Sequence, residues 1–282
     1  MSTPEDTRLE SRKRWARSAA GWAERRNAMR DASMPLSVRM IDLLEPAPGQ
    51  DLLELAAGLG DVGFLAAELI VPGGTLICSD FVPEMLTAAQ ERAKELEIEN
   101  VRFRQIDAES IDQPAASLDG VLCRWGYMLM TDAEAALRET RRVLRPGARV
   151  VLAAWTGARE NLWSSIPMRE LVDRGIMERP DPTAPGQFAW SREGVIAEHL
   201  EAAGFTDPAA EVVTFAMSYA DADDWIATQR HLSPGLRDGL DGLDATTRED
   251  VLAAVRSKSA DFERPDGSLV IPAASWVAVA TA

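Results

Sequence analysis

Between residues 51 and 155 the chain alternates two hydrophobic patterns. Short continuous apolar runs are separated by stretches in which apolar residues recur every three or four positions. Strands are predicted over 51–55, 75–79, 101–105, 120–123 and 149–154; all but 101–105 are such runs, as a strand covered on both faces shows no polar alternation. The amphipathic stretches predict helices over about 61–69, 83–96 and 132–144. Val-Pro-Gly-Gly at 71–74 and Arg-Pro-Gly at 145–147 mark turns. Alternation of this kind implies parallel βαβ units and a doubly wound sheet, an α/β fold.

The flanks follow other patterns. Residues 7–32 predict a helix with Trp15, Ala19, Trp22 and Ala23 on one face, and residues 35–44 a second helix carrying Val38, Ile41 and Leu44. After Trp155, Pro167, Pro180, Pro182, Pro185 and Gly186 break the chain into short helices and loops up to about Trp190. A helix over 191–203 has Ser191 as its N-cap and Gly204 as its C-cap. A strand is expected at 211–219, helices at 222–231 and 246–258 (the latter capped by Thr247), and a closing strand at 274–280. The resulting division is an N-terminal helical cover (1–48), a ligand-binding core (49–155), and cover helices with closing strands of the same sheet (156–282).

The richest segment is Asp51-Leu52-Leu53-Glu54-Leu55-Ala56-Ala57-Gly58-Leu59-Gly60-Asp61-Val62-Gly63. A strand enters a glycine turn and leaves as a helix, so backbone N–H groups and a helix N-terminus meet a ligand at close range. Gly58, Gly60 and Gly63 satisfy the G-x-G-x-x-G spacing of a dinucleotide site, the reading that would make this an NAD(P)-dependent oxidoreductase. Glu54 opposes it, because a carboxylate beside the turn repels a pyrophosphate and attracts a cation. Gly63 is then a helix-packing residue. Ligands of such sheets lie at the carboxyl ends of the strands, which draws in Asp80, Phe81, Asp107 and Ala108. Asp80 suits ribose hydroxyls, or else simply favours the following helix. Phe81 stacks on a base or packs. Asp107 accepts from an exocyclic amine or caps a turn, and Ala108 leaves its N–H open to a ring nitrogen.

Composition narrows the partners. The 282 residues carry a net charge of -15, which disfavours nucleic acid and anionic membrane surfaces. The basic residues near the N-terminus read as the solvated face of a helix. Cys78 and Cys123 lie far apart in apolar runs and read as reduced buried thiols, with no metal site and a reducing cytoplasm implied. The polar N-terminus shows no signal-peptide pattern, and no apolar run is long enough for a membrane span. A homodimer is compatible with this reading.

The ordered set Glu54-Leu55-Ala56-Ala57-Gly58-Leu59-Gly60, Ser79-Asp80-Phe81-Val82-Pro83-Glu84-Met85-Leu86 and Gln105-Ile106-Asp107-Ala108-Glu109 resembles class I S-adenosylmethionine-dependent methyltransferases. Asp119-Gly120-Val121-Leu122-Cys123-Arg124-Trp125-Gly126-Tyr127-Met128 and Arg142-Val143-Leu144-Arg145-Pro146-Gly147 extend the match toward the ubiquinone/menaquinone-biosynthesis-like branch. The resemblance implies a Rossmann-like, mostly parallel sheet with an antiparallel last strand. It also implies S-adenosyl-L-methionine as cofactor, S-adenosyl-L-homocysteine as product, and a small-molecule acceptor. In that frame Glu54, Ala56, Gly58 and Gly60 hold the methionine portion, Asp80 the ribose, Phe81 and Met85 the adenine surroundings, and Asp107 with Ala108 the adenine edge. Cys123 and Arg124 border the methionine portion and Trp22 covers the cofactor. Ala56 stands where the family usually has glycine, and its methyl disfavours a positive φ.

Methyl transfer from a sulfonium mainly needs orientation, and a base only where the acceptor is a hydroxyl or an acidic carbon. His231 is the candidate base or a helix C-terminal partner. Arg124 and Tyr127 are candidates facing the acceptor, Arg124 either orienting an oxygen or closing an internal ion pair. His199 reads as structural. Trp163 and Trp190 line an apolar acceptor pocket or anchor the cover. O- or C-methylation of a small, partly apolar acceptor is the expectation; the alternative is a protein that binds the nucleoside without catalysis.

Overall fold

The computed structural model describes residues 4–181 and 184–282. Pro182, one of the prolines read as breakers, lies outside the described residues. The chain begins with helices α1 (Pro4–Ala16) and α2 (Ala19–Leu44). The alternating part follows as β1 (Asp51–Glu54), α3 (Asp61–Leu69), β2 (Thr75–Asp80), α4 (Pro83–Glu95), β3 (Val101–Gln105), β4 (Leu118–Arg124), α5 (Ala133–Val143) and β5 (Leu144–Trp155). The remainder is α6 (Leu162–Asp173), α7 (Val195–Ala202), β6 (Thr206–Tyr219), α8 (Ala222–Leu232), α9 (Pro234–Asp241), α10 (Ala245–Ser257) and β7 (Leu269–Thr281).

The seven strands form one sheet in the order β3-β2-β1-β4-β5-β7-β6. Strands β1 to β5 pair in parallel, while β7 runs antiparallel to both β5 and β6. The order reverses at β1, which pairs with β2 on one side and β4 on the other. That reversal opens a crevice at the carboxyl ends of β1 and its neighbours. Strand β5 ends, β6 ends and β7 begins at this same edge of the sheet. The insertions 156–194 and 220–268 therefore leave and re-enter beside the crevice.

The core lies where helices cover both faces of the sheet. Leu52, Leu53, Leu76, Val121, Leu122 and Leu152 are at most 1% exposed. Gly63 has the packing role expected of it. A Cβ there would fall 2.3 Å from Glu54 Oε2 and 2.9 Å from Leu76 Cδ2, so α3 settles onto β1 only because that position has no side chain.

Several expected boundaries move. The N-terminal helix breaks at 17–18 instead of 33–34, and α2 runs through Pro35. Pro35 is on the solvent side, where water can satisfy the carbonyl that loses its intrahelical donor. Arg145-Pro146-Gly147 is a bulge within β5 and not a turn before it. The register jumps from Leu118↔Leu144 to Gly120↔Arg149, with Gly147 at φ +85°. Helix α7 starts later than expected, with Gly194 and not Ser191 at its N-cap. Asp244, not Thr247, caps α10 by accepting from the N–H groups of Thr246 and Thr247. The closing strands are longer than expected, and they pair with each other from Thr206↔Thr281 to Tyr219↔Leu269.

Candidate active site

The glycine turn is held from both neighbouring strands. Leu55 donates its N–H to Leu122 O at 2.8 Å, and Ala57 donates to Ser79 O at 2.9 Å. Between these anchors Ala56 takes φ +50°, followed by Gly58 at +55° and Gly60 at +80°. The position occupied by Ala56 is thus a left-handed one, at a steric cost of about 1 kcal/mol for an L residue. A Cβ on Gly58 would meet nothing within 4 Å, so this part of the turn faces open space.

Asp80, at the end of β2, is tied into the turn. Its Oδ2 accepts from Gly58 N–H at 3.0 Å and its Oδ1 from Val82 N–H at 2.9 Å. Burial pushes its carboxyl up to about 6, and the donors from Val82 and Gly58 oppose that rise. Glu54, at the end of β1, is 2% exposed and its Oε2 has no hydrogen-bond partner. Burial pushes it up to about 8; the charge of Arg124 and the nearby Gly63 N–H offset part of this, and Asp61 and Asp80 add to it. Asp107 follows β3 in an exposed position and accepts Glu109 N–H at 2.9 Å, while Ala108 is buried.

Arg124, at the end of β4, reaches across to the helices. It donates to Ser33 Oγ at 2.6 Å and Ser37 Oγ at 3.1 Å on α2, and pairs with Asp61 Oδ2 at 3.2 Å in the first turn of α3. The internal ion pair weighed for it from sequence is therefore present. Its guanidinium also lies 4.6 Å from the centre of the Trp125 ring.

These groups surround one cavity of about 310 Å³. Glu54, Ala56, Gly58, Asp80, Phe81, Met85, Asp107, Ala108, Arg124 and Trp22 all line it. Arg8, Ser11 and Trp15 of α1 and Arg26 and Met29 of α2 close one side. Trp125, Trp155 and Trp163 form an apolar wall on another, with Trp125 stacked on Trp155 at 4.1 Å and 15°. Trp125 holds φ +60°, a conformation costly for a bulky residue. Its indole N–H donates to Ser275 Oγ at 2.9 Å, which fixes the ring.

Four sequence candidates lie elsewhere. Gly60 supports the turn from behind, where a Cβ would strike the Phe64 ring at 2.5 Å. Cys123 is fully buried in β4, and burial pushes its thiol up to about 12. Tyr127 points away from the cavity. Its hydroxyl is 2.6 Å from Thr140 Oγ1, its ring stacks on Trp190, and burial raises its phenol well above the ordinary range. His231, the candidate base, sits on α8 with Nδ1 3.8 Å from Glu24 Oε2, against α2 at Gly21 and outside the cavity lining. The crossing of α2 and α8 turns its ring to that side. Trp190 stacks on His199 at 4.7 Å and anchors the cover, whereas Trp163 lines the pocket.

The site also contains residues not anticipated from sequence. Trp155 was read only as the residue after a strand. Ser164, Gln187, Gln229 and Ser233 come from the insertions, and no local pattern marked them. Trp155 had one available signal, a large aromatic at the carboxyl end of a buried strand.

Residues 37–162 match the ubiE/COQ5 methyltransferase family. The nocamycin O-methyltransferase of Saccharothrix syringae is 33% identical over 184 residues, covering 61% of this chain and 65% of that protein. The demethylmenaquinone methyltransferase of Thermus thermophilus is 39% identical over 115 residues, 40% of this chain and 51% of that protein. The chain thus spans between half and two thirds of the length of these curated relatives. The YcgJ protein from Bacillus subtilis has a similar fold, with a TM-score of 0.57 at 21% identity over 87% of this chain and 97% of that one. Among the described residues no helix is long and apolar enough to cross a membrane. These matches speak against the dinucleotide reading of the glycine turn: over residues 37–162 the chain is similar to the ubiE/COQ5 methyltransferase family.

Proposed function

We propose that this protein moves a methyl group from S-adenosyl-L-methionine to a small, partly apolar acceptor by O- or C-methylation, leaving S-adenosyl-L-homocysteine. The observation that carries this reading is the buried carboxyl of Glu54, its Oε2 without a hydrogen-bond partner, on a residue that lines a cavity walled by the glycine turn. An orphaned buried carboxyl oxygen calls for a ligand that restores the lost interaction, and a cationic one does so best. The rest of the cavity fits the same ligand. Gly58 leaves room for close approach, and each Asp80 oxygen keeps a lone pair beyond its one N–H bond. Asp80 would hold the ribose hydroxyls, Asp107 and the Ala108 N–H the adenine edge, and Phe81 and Met85 its faces. Glu54 and the turn at Ala56 and Gly58 would hold the methionine portion, with Gly60 and Cys123 shaping the turn from behind.

Bound there, the cofactor supplies an electrophilic methyl whose departure leaves a neutral thioether. The protein's part is orientation and exclusion of water. Trp15, Trp22 and Met29 roof the cavity, and Arg124 clamps α2, α3 and β4 around it. The names of the relatives support a small-molecule acceptor.

Calorimetry with S-adenosylhomocysteine tests the reading. Binding with one site per chain is expected, weakened roughly 10- to 100-fold in Asp80→Ala by loss of charge-assisted hydrogen bonds. Asp80→Asn, which keeps the side-chain shape, separates ribose contacts from a loosened turn. No binding at high micromolar ligand, or binding indifferent to both substitutions, overturns it.

A further inference from the structure

After β4 the chain makes one tight helical turn, Tyr127–Leu129, with Leu129 N–H donating to Gly126 O at 2.9 Å and Met130 N–H to Tyr127 O at 3.1 Å. Gly126, Met128, Leu129, Met130 and Thr131 line the cavity, while Tyr127 between them points the other way and is buried. The turn abuts the glycine turn, since a Cβ on Gly126 would lie 2.8 Å from the Ala56 methyl. So short a turn does not hold its shape alone, and Tyr127 supplies the support. Thr140 Oγ1 gives its hydrogen to Ala136 O at 2.8 Å, so the Tyr127 hydroxyl is the donor in its 2.6 Å bond to Thr140 and is fixed to α5. The Tyr127 ring lies parallel to Trp190, with centroids 6.0 Å apart and 3° between the planes, and Trp190 stacks in turn on His199 of α7. A backbone bond joins the same two segments, Gly186 N–H donating to Met128 O at 2.9 Å. Gln187, flanked by these two ties, lines the cavity and donates to Ser164 Oγ of α6 at 2.9 Å. Beyond Trp190 the chain is tied to the sheet, the Trp276 indole N–H donating to Ser191 O at 3.1 Å. The stretch 186–190 is therefore the part of the cover whose placement depends on Tyr127 and Met128.

We propose that Tyr127 is a positioning residue that locks the cofactor-facing turn 126–131 to the cover stretch 186–190, so that cofactor binding and the ordering of that stretch are coupled. This rests on the cofactor reading of the cavity and not on the identity of the acceptor. A ligand held against Met128, Leu129 and Met130 restricts the turn and with it the Tyr127 ring on its back. A fixed ring offers Trp190 a fixed face to stack on, and an immobile Met128 carbonyl does the same for Gly186 N–H. The coupling is reciprocal by linkage: whatever orders 186–190 lowers the cost of ordering the turn, and so strengthens cofactor binding. Tyr127 and Trp190 act without touching the ligand, because both rings lie outside the cavity lining. For methyl transfer the consequence is sequence in time. Gln187 and the wall beside it are set once the methyl donor is in place, which keeps water from the bound sulfonium.

Hydrogen exchange of the full chain, read by mass spectrometry with and without saturating S-adenosylhomocysteine, tests this with no acceptor present. In the native protein the ligand should slow exchange over 186–190 by at least ~3-fold, although Gln187 is the cavity-lining residue of that stretch. Tyr127→Leu and Trp190→Leu should each abolish that slowing while the ligand still protects the glycine turn at 56–60. Each should also weaken S-adenosylhomocysteine several-fold in calorimetry, and the double variant no more than either alone, because both break one connection. A merely structural role would leave the affinity unchanged or give additive losses. Tyr127→Phe keeps the ring and loses the hydroxyl; it should retain most of the ligand-dependent slowing, and it stands in if the leucine variants do not fold. Absence of slowing over 186–190 in the native protein with ligand bound, slowing that survives Tyr127→Leu, its loss in Tyr127→Phe, or additive losses in the double variant overturns the proposal and spares the cofactor site. Failure of S-adenosylhomocysteine to bind the native protein overturns the cofactor reading itself.

Discussion

At the scale of single residues, the Glu54 carboxyl has a folded-state value of about 8 against an ordinary 4.5. The folded chain therefore holds this proton where the unfolded chain has released it. The contribution of Glu54 to stability is complete below about pH 4.5 and is lost as pH rises toward 8. Glu54→Gln cannot ionise, so its thermal midpoint should stay nearly level between about pH 6 and 9 while that of the native protein falls. Scanning calorimetry across that range checks this, and parallel curves would contradict it. The substitution should also weaken S-adenosylmethionine more than S-adenosylhomocysteine, since only the first carries the sulfonium charge. Ala56 has the opposite relation to stability. Its φ of +50° is strained, and a Cβ on Gly126 would lie 2.8 Å from the Ala56 methyl, which marks a crowded turn. Ala56→Gly should raise stability or leave it unchanged, within about 1 kcal/mol, and tighten cofactor binding. Urea unfolding and calorimetry measure the two effects. A clear loss of both would show that the methyl is needed for packing.

Among the elements, α1 is the one whose placement depends most on single contacts. Arg8 reaches Glu109 beyond β3, its Nε 2.8 Å from the carboxylate, and Trp15 lies 6.3 Å from Trp22 beside Val82 and Met85. Arg8→Gln should speed S-adenosylhomocysteine dissociation several-fold while changing stability by no more than ~1 kcal/mol, because Arg8 is 40% exposed. Stopped-flow displacement together with a thermal melt checks the pair; an unchanged off-rate would show that α1 does not retain the ligand. Strands β1, β2, β4 and β5 were legible in the sequence because burial on both faces makes their apolar runs continuous, whereas β3, Val-Arg-Phe-Arg-Gln at the sheet edge, is alternating and mostly exposed. The break between α1 and α2 was not legible. Neither Arg17 nor Ser18 is a stop signal, and the turn arises from docking α1 across the cavity mouth. The solvent-side location of Pro35 likewise emerges only once α2 is packed. The start of β6, Thr-Asp-Pro-Ala-Ala, has little apolar content, and only its register against β7 carries that strand out to Thr206.

For the whole molecule, the reversal of strand order at β1 gathers Glu54, Asp80 and Asp107 from positions far apart in the chain into one cavity. That half of the cavity lining could be read from sequence, because each group lies at or just after the end of a predicted strand. The cover half could not. Trp163, Gln187 and Gln229 come from insertions with no shared periodicity, and sequence alone could not show that the insertions meet over the same strand ends. His231 was proposed as a base because it is near the cover in sequence, but the rotation of α8 against α2 turns its side chain elsewhere. The central claim is that the strand-end carboxylates form an S-adenosylmethionine site. A crystal structure of the complex with S-adenosylhomocysteine tests it most directly. Ribose hydroxyls are expected within hydrogen-bond distance of Asp80, the adenine amine at Asp107 and the amino-acid portion above Ala56 and Gly58. A ligand found elsewhere, or bound in this cavity with Asp80 and Asp107 untouched, would contradict it.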